Sequence, residues 1–335
     1  MKKDYDIVAL GELLIDFTDV GKSAGGMKLF EQNPGGAPAN LLTVASNMGY
    51  HTAFIGKVGK DMHGAFLKKT LQNVGIDTGA VIEDEDYFTT LAFVEINENG
   101  ERNFSFSRKP GADTMLSTEE LDHKLLKSCR IFHFGSLSLT AEPSKSATLH
   151  AVSVAKQAGA LISYDPNYRP SLWKNREDAI MMMKSVVPQV DVMKVSDEES
   201  LLLTGETDYT KASKVLLSMG VKLVAVTLGA DGVLVADRGH QEIVPAFQAE
   251  AVDTTGAGDS FWGGFLSHLL SLQALEQTSG GGIKIPEWEK LRQCAVWGNA
   301  TAALCVQKRG GIPAIPKREA VTRFLKMRFG GIEAV

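Results

Sequence analysis

The sequence predicts an α/β fold: a mainly parallel central sheet flanked by helices, with a small projecting antiparallel β-lid. Strand-like and helix-like segments alternate along most of the 335 residues, the pattern of βα units that build a parallel sheet. Two segments break that rhythm, one from about Leu13 to Asn33 and one from Thr89 to Arg108. The second, TTLAFVEINENGERNFSFSR, reads as two alternating strands joined around NENG. Polar residues at every second position rule out a strand buried on both faces. The expectation is one domain over residues 1–335, with the lid drawn from about 13–33 and 88–112.

The elements follow in order. YDIVALG reads as a buried strand; GGAPANLLTVASNMG is a helix with Pro38 near its start and Gly49 at its stop, the positions these residues favour. TAFIGKVG is the next strand and DMHGAFLKKTLQNVG the next helix. After the lid segment come RIFHFGS, a helix from Pro143 to Gly159, ALISYD, a helix near Glu177 to Val187, VDVMKVS and KLVAVTLG. SGGGIKIPE reads as a surface connection before the last long helix.

Composition narrows the function. Hydrophobic residues make up 44% and charged residues 22%, enough apolar material for a large core. The net charge is 35 − 40 = −5, with both signs interspersed, which argues against a nucleic-acid or anionic-membrane surface. Cys129, Cys294 and Cys305 form no CxxC pair, as expected of buried thiols in a reducing compartment. His133 reads as a strand residue, not a metal ligand. Asp4, Asp6 and Glu12 interrupt what would be a signal-peptide core, and no apolar run reaches bilayer length, so the expectation is a cytoplasmic protein.

Ligands of open parallel sheets bind at the carboxyl ends of the strands. That rim gathers GELLID with Asp16, GGAPAN with Asn40, DPNYRPSLW with Asp165, Asn167 and Arg169, then Lys194 and Glu199, LGADG, and finally DTTGAGDSFWGG. Several have plain structural readings: Asp165 before a proline forms turns, and Ser196 suits a helix cap. DTTGAGDSFWGG itself has two. Its glycines allow a tight turn with Asp259 as helix cap, or its backbone N–H groups form an anion site with a carboxylate beside it. No GxxxxGK[ST] or GxGxxG is present, and no Ser–His or Cys–His constellation stands out. What remains is phosphoryl transfer from a nucleotide to a hydroxyl, which needs positioning, cations around the phosphoryl group and a carboxylate at the acceptor oxygen.

DTTGAGDSFWGG resembles the C-terminal signature of the PfkB carbohydrate kinases, members of the ribokinase-like superfamily. GGAPANLLTVASNMG followed by FIGKVGKDMHG resembles their N-terminal signature. The resemblance covers essentially the whole chain and implies an ATP-dependent kinase that phosphorylates a primary hydroxyl beneath a β-lid. By matching position, Asp259 resembles the catalytic base and the N–H groups of Gly256, Ala257 and Gly258 the anion hole. A side chain at Gly258 would crowd the transferring phosphoryl group and demand an unfavourable backbone angle. Asp16, Gly35, Gly36 and Asn40 resemble the residues that grip sugar hydroxyls. Thr227, Gly229 and Gly232 look like the nucleotide-binding turn and Asn299 like a residue beside the adenine, with Asn167 and Lys194 on the ATP side. Glu199 resembles the acid that orients Mg²⁺ through water, although Ser196 replaces the Asn of the family's frequent N-x-x-E. Asp253 and Thr255, with the loop at Gly310, resemble the monovalent-cation (K⁺) site of many members.

Within the family, DPNYRPSLW, RGGIPAIP and RNFSFSRKPGADTML look most like fructokinases, with Phe106, Arg108 and Arg169 on the sugar side. The rival is 2-keto-3-deoxygluconate kinase, which uses arginine for its substrate's carboxylate; Phe106 stands where such kinases tend to carry tyrosine. A third reading is a sugar sensor without turnover. The lid presents a β-edge for a second subunit, so the expected partners are a sugar, ATP and a second copy of the chain.

Overall fold

The computed structural model describes residues 3–96, 102–272 and 285–330. Its strands are β1 (Tyr5–Leu10), β2 (Leu14–Lys22), β3 (Lys28–Gly35), β4 (Thr52–Gly59), β5 (Ile76–Asp77), β6 (Val81–Asp84), β7 (Leu91–Ile96), β8 (Arg102–Ser107), β9 (Cys129–Gly135), β10 (Leu161–Asp165), β11 (Val192–Ser196), β12 (Leu223–Thr227), β13 (Val233–Ala236) and β14 (Gln241–Val244). The helices are α1 (Ala37–Asn47), α2 (Met62–Asn73), α3 (His123–Lys127), α4 (Ser144–Gln157), α5 (Arg176–Val186), α6 (Asp197–Thr204), α7 (Tyr209–Ser218), α8 (Ala257–Ser271), α9 (Trp288–Cys305) and α10 (Arg318–Phe329).

The main sheet runs β14-β13-β12-β11-β10-β9-β1-β4-β5, with β6 also paired to β4. Pairings from β12 across to β5 are parallel, and only β12–β13 and β13–β14 are antiparallel. Apolar runs such as TAFIGKVG are buried along their whole length because helices cover both faces. One core layer packs Phe132, Phe134 and Tyr164 beneath α4 and α5; the other packs Phe54, Trp262 and Phe265 beneath α1, α8 and α9. Strand and helix bounds agree closely with the alternation read from the sequence.

The lid is a separate four-stranded sheet of order β3-β2-β7-β8. The β2–β3 and β7–β8 pairs are antiparallel, as expected, but the central β2–β7 pair is parallel. Ile15–Thr18 runs alongside Leu91–Val94 in the same direction, so two hairpins meet side by side. The NENG turn lies outside the described residues, as does most of SGGGIKIPE.

The three cysteines are buried and unpaired, and burial raises each thiol's pKa. His133 is buried, its Nδ1 2.9 Å from Ser163 Oγ, and burial holds its pKa down to about 3. Among the described residues, no group of three or more His, Cys, Asp or Glu is placed to hold a metal ion, and no helix is long and apolar enough to cross a membrane.

Candidate active site

The carboxyl rim of the main sheet and the N-terminus of α8 face the lid across a cavity of about 700 Å³. The lid contributes Leu14, Asp16, Thr18, Val94 and Phe106; the rim contributes Glu12, Asn167, Arg169, Lys194, Glu199 and Thr227. Gly36 and Asn40 arrive on the first turn of α1, and residues 252–259 lead into α8. Of the rim residues, Glu12 follows β1, Asn167 and Arg169 follow β10 and Glu199 follows β11, while Lys194 and Thr227 lie in β11 and β12.

The mouth of α8 carries the reactive geometry. Gly256 adopts φ +74, the left-handed region, as the helix N-cap, a conformation that suits glycine. The Ala257 N–H already donates to the Thr254 carbonyl at 3.2 Å. Among the described residues, the N–H groups of Gly256 and Gly258 have no protein acceptor, so they form the open part of the nest. The Ala257 N–H, expected with the other two to serve an anion, thus already has a backbone partner. Gly258 has no positive φ; the demanding backbone angle falls on Gly256. A Cβ at Gly258 would instead lie 3.0 Å from Lys194 Nζ.

Asp259 follows within the first turn of α8. Its Oδ2 accepts a hydrogen bond from Asn40 Nδ2 at 2.8 Å. Burial, then the negative charge of Asp165, pushes its pKa up to about 6, against the opposing pull of Asn40, Lys194 and Arg169. Such a carboxylate is ionised at neutral pH and more basic than a solvated one, which suits a general base.

Lys194 Nζ sits 3.0 and 3.2 Å from the two oxygens of Asp165, a pair formed between the neighbouring strands β11 and β10. Burial alone would lower its pKa, but Asp165, Glu199 and Asp259 outweigh burial and raise it. A fixed positive charge therefore stands beside Gly258. Asp165, read from sequence as a turn former, is what holds that charge in place. Asn167 takes φ +45, with its N–H on Asp165 Oδ1 at 3.2 Å. Glu199 Oε1 accepts from the Tyr168 N–H at 2.7 Å and Oε2 from the Ser196 N–H at 2.8 Å. The Ser196 hydroxyl oxygen in turn accepts from the Glu199 N–H at 3.0 Å, completing a capping box.

The remaining predicted residues separate into wall and support. On the lid, a Cβ at Gly35 would collide with the Asp16 carboxylate, so Gly35 makes room for Asp16 without lining the cavity. Gly36 has φ +123 and packs on the Glu12 carbonyl. Arg108 does not line the cavity: its Nε and Nη2 bind Asp113 Oδ2 at 2.8 and 2.7 Å, and it also reaches Thr140 Oγ1 and the Leu137 carbonyl. Gly229, Gly232 and Asn299 also stand off the wall. The Leu228 N–H closes the Gly229–Gly232 turn on the Gly232 carbonyl at 2.8 Å. Asn299 donates to the carbonyls of Val244 and Pro245 at 3.1 and 3.0 Å, fixing the chain after β14. Asp253 ties two loops together, accepting from the Thr255 and Gly310 N–H groups at 2.8 and 2.9 Å.

The pfkB family carbohydrate kinase model matches residues 4–318. The chain belongs to the pfkB family of carbohydrate kinases. It is 40% identical to probable fructokinase-2 of Arabidopsis thaliana over 325 residues, 96% of each chain. It is likewise 40% identical to fructokinase-1 of Zea mays, over 96% of this chain and 97% of that one. Among solved structures, fructokinase from Vibrio cholerae O395 in its fructose-, ADP- and calcium-bound form matches with a TM-score of 0.84 and 31% identity, covering 96% of this chain and 99% of that one. Fructokinase from Xylella fastidiosa with bound ATP matches at 0.85 and 30%, covering 98% and 99%.

Among the residues lining the site of this pfkB kinase that sequence reasoning passed over are Glu12, Asn33 and Arg309. Asn33 lies opposite Asp16 in the lid register, a placement that needs the pairing of β2 with β3 to be known. Arg309 precedes the Gly310 turn. Glu12 directly follows β1 and Gly11, and its position at a strand's carboxyl end was the signal available.

Proposed function

We propose that this kinase transfers the γ-phosphoryl group of ATP to the primary hydroxyl of fructose, giving fructose 6-phosphate. The observation that carries the reading is Asp259, a buried carboxylate of raised basicity beside two unoccupied backbone N–H donors and the Lys194 ammonium. Asp259 takes the proton of the acceptor hydroxyl. The N–H groups of Gly256 and Gly258 and the charges of Lys194 and Arg169 stabilise negative charge on the migrating phosphoryl group. A catalytically silent sensor would have no use for a base tuned in this way.

A neutral ketose is supported by the similarity to fructokinases along the whole chain and by Arg108, whose charge is already matched by Asp113. Asp16 accepts hydrogen bonds from the sugar hydroxyls on the lid side, and Asn40 presents Oδ1, a buried acceptor without a partner. Glu199 suits Mg²⁺ held through water, because each of its oxygens keeps a lone pair after taking one backbone N–H. Bound there, Mg²⁺ would neutralise the phosphate charge of ATP. The Asp253–Thr255 loop is our assignment for K⁺. The outer lid face, where Phe17 stacks on Phe93 at 5.4 Å and Phe30 meets Phe93 edge-on, leaves Leu29, Phe30 and Phe93 partly exposed and supports a homodimer through the lid. Buried free thiols are in keeping with a cytoplasmic enzyme.

The test is ATP turnover over fructose, 2-keto-3-deoxygluconate, ribose and adenosine. The highest kcat/KM is expected with fructose; a clear preference for 2-keto-3-deoxygluconate would replace the substrate and keep the kinase.

A further inference from the structure

Behind the sugar side of the cavity lies a buried cluster that the phosphoryl-transfer chemistry does not use. Glu12 is 3% exposed yet lines the cavity. Its Oε1 accepts the Ala37 N–H at 2.9 Å, at the first residue of α1. Its backbone carbonyl is the surface against which Gly36 packs. The carboxyl is thus held between the end of β1 and the start of α1, three residues before Asn40. Among the described residues, no side-chain donor reaches it.

Two backbone N–H groups, its own and that of Ala37, donate to this carboxyl, and a carboxylate keeps further acceptor capacity that a ligand hydroxyl can fill. Two charged groups face it from behind the wall, Arg108 and Asp113. They cancel each other: the Arg108 guanidinium lies 2.7 Å from Asp113, with both side chains almost fully buried. Thr90, at the foot of β7, donates to the other Asp113 oxygen. No net positive charge is therefore left behind the wall to attract an anionic acceptor. Glu12 is the ionisable group that this corner presents to the cavity.

We propose that Glu12 is an acceptor-binding residue that receives a sugar hydroxyl and disfavours sugar acids, with Asp113 enforcing this selection by cancelling Arg108. The inference rests on the phosphoryl-transfer reading above and assigns a residue and a selection rule to it. Its electrostatics agree: burial raises the Glu12 pKa to about 7, with Arg108 opposing the shift and Asp113 adding to it. Acceptor affinity then rises as pH increases through about 7, because only the ionised form accepts a hydroxyl proton at both oxygens.

Glu12→Gln keeps an acceptor for the Ala37 N–H and removes the charge. Measured on the acceptor that the wild type turns over fastest, its KM is expected to rise about tenfold, the loss of roughly one hydrogen bond, while kcat stays within about twofold. The wild-type KM should fall across pH 6–8, and the variant's should be flat. The preference for fructose over 2-keto-3-deoxygluconate should shrink at least several-fold. Asp113→Asn, which leaves Glu12 in place and removes a neighbouring negative charge, should move the KM break to lower pH. An unchanged KM and unchanged selectivity in Glu12→Gln, or a break that stays or moves upward in Asp113→Asn, overturns the proposal. Failure of the wild type to phosphorylate fructose would instead count against the fructokinase reading.

Discussion

Asn40 Nδ2 donates to Asp259 Oδ2 at 2.8 Å, joining the first turn of α1 to the first turn of α8 across 219 residues of sequence. The bond fixes the carboxylate's orientation and opposes the pKa rise that burial imposes. Asn40→Ala removes that restraint. The acid limb of the kcat profile should shift to higher pH, because a donor to the charged form is lost, and kcat at neutral pH should fall. A limb that stays in place would show that Asn40 serves the sugar alone.

Asp259→Asn separates chemistry from folding. Loss of a general base typically costs about 10²–10⁴-fold in rate, so turnover should drop by at least that order while ATP still binds. The folded-state pKa of Asp259 lies above its unfolded value, so its ionisation weakens the fold as pH rises from about 4 to about 6, with the penalty fully present above that. The Asn variant should therefore unfold at no lower temperature than wild type at pH 8. A large drop in Tm together with retained activity would mark Asp259 as a structural cap.

Gly258→Val places a branched side chain where the Lys194 ammonium lies 3.0 Å from the Cβ position. Turnover should be abolished with little change in sugar affinity. Substantial activity in a folded variant would show that the nest at Gly258 does not hold the phosphoryl group.

Asp16 and Arg108 should behave differently. Asp16→Ala strands sugar hydroxyls at roughly 1–3 kcal/mol for each unmet bond and should raise the KM for fructose by about tenfold or more. Arg108→Ala leaves Asp113 as an uncompensated buried charge, a defect that typically costs about 3–5 kcal/mol, so its principal effect should be a lowered Tm. Fructose KM and thermal unfolding of both variants check this. A KM effect larger for Arg108→Ala than for Asp16→Ala, in protein of normal Tm, would place the guanidinium at the substrate.

The main sheet was legible because its strands are short apolar runs separated by amphipathic helices, and the glycine-rich turns marked where they end. The lid was legible as two alternating segments, but the parallel β2–β7 pairing was not: alternation tells which face a residue occupies, not which strand lies beside it. The same limit applies to side-chain partners. Arg108 was read as facing the sugar, because nothing local reveals that Asp113, five residues on, turns back to claim its guanidinium. Lys194 and Asp165 are 29 residues apart and meet only because β10 and β11 are neighbours. Asn299 resembles by position a residue beside the adenine, and nothing local reveals that its amide also holds the backbone at Val244 and Pro245. By contrast, Ser196 and Glu199 were readable as a capping box, since three-residue spacing is local.

The central claim is that Asp259, made more basic by burial and by Asp165, is the proton acceptor in phosphoryl transfer to a sugar. The pH dependence of kcat for fructose phosphorylation tests it most directly, compared between wild type and Asp259→Asn. The account predicts a wild-type acid limb near pH 6, to which burial and Asp165 push the Asp259 pKa, with activity lost below it, and a residual, limb-free rate in the variant. A wild-type limb near pH 4, or the same limb surviving in Asp259→Asn, would contradict it.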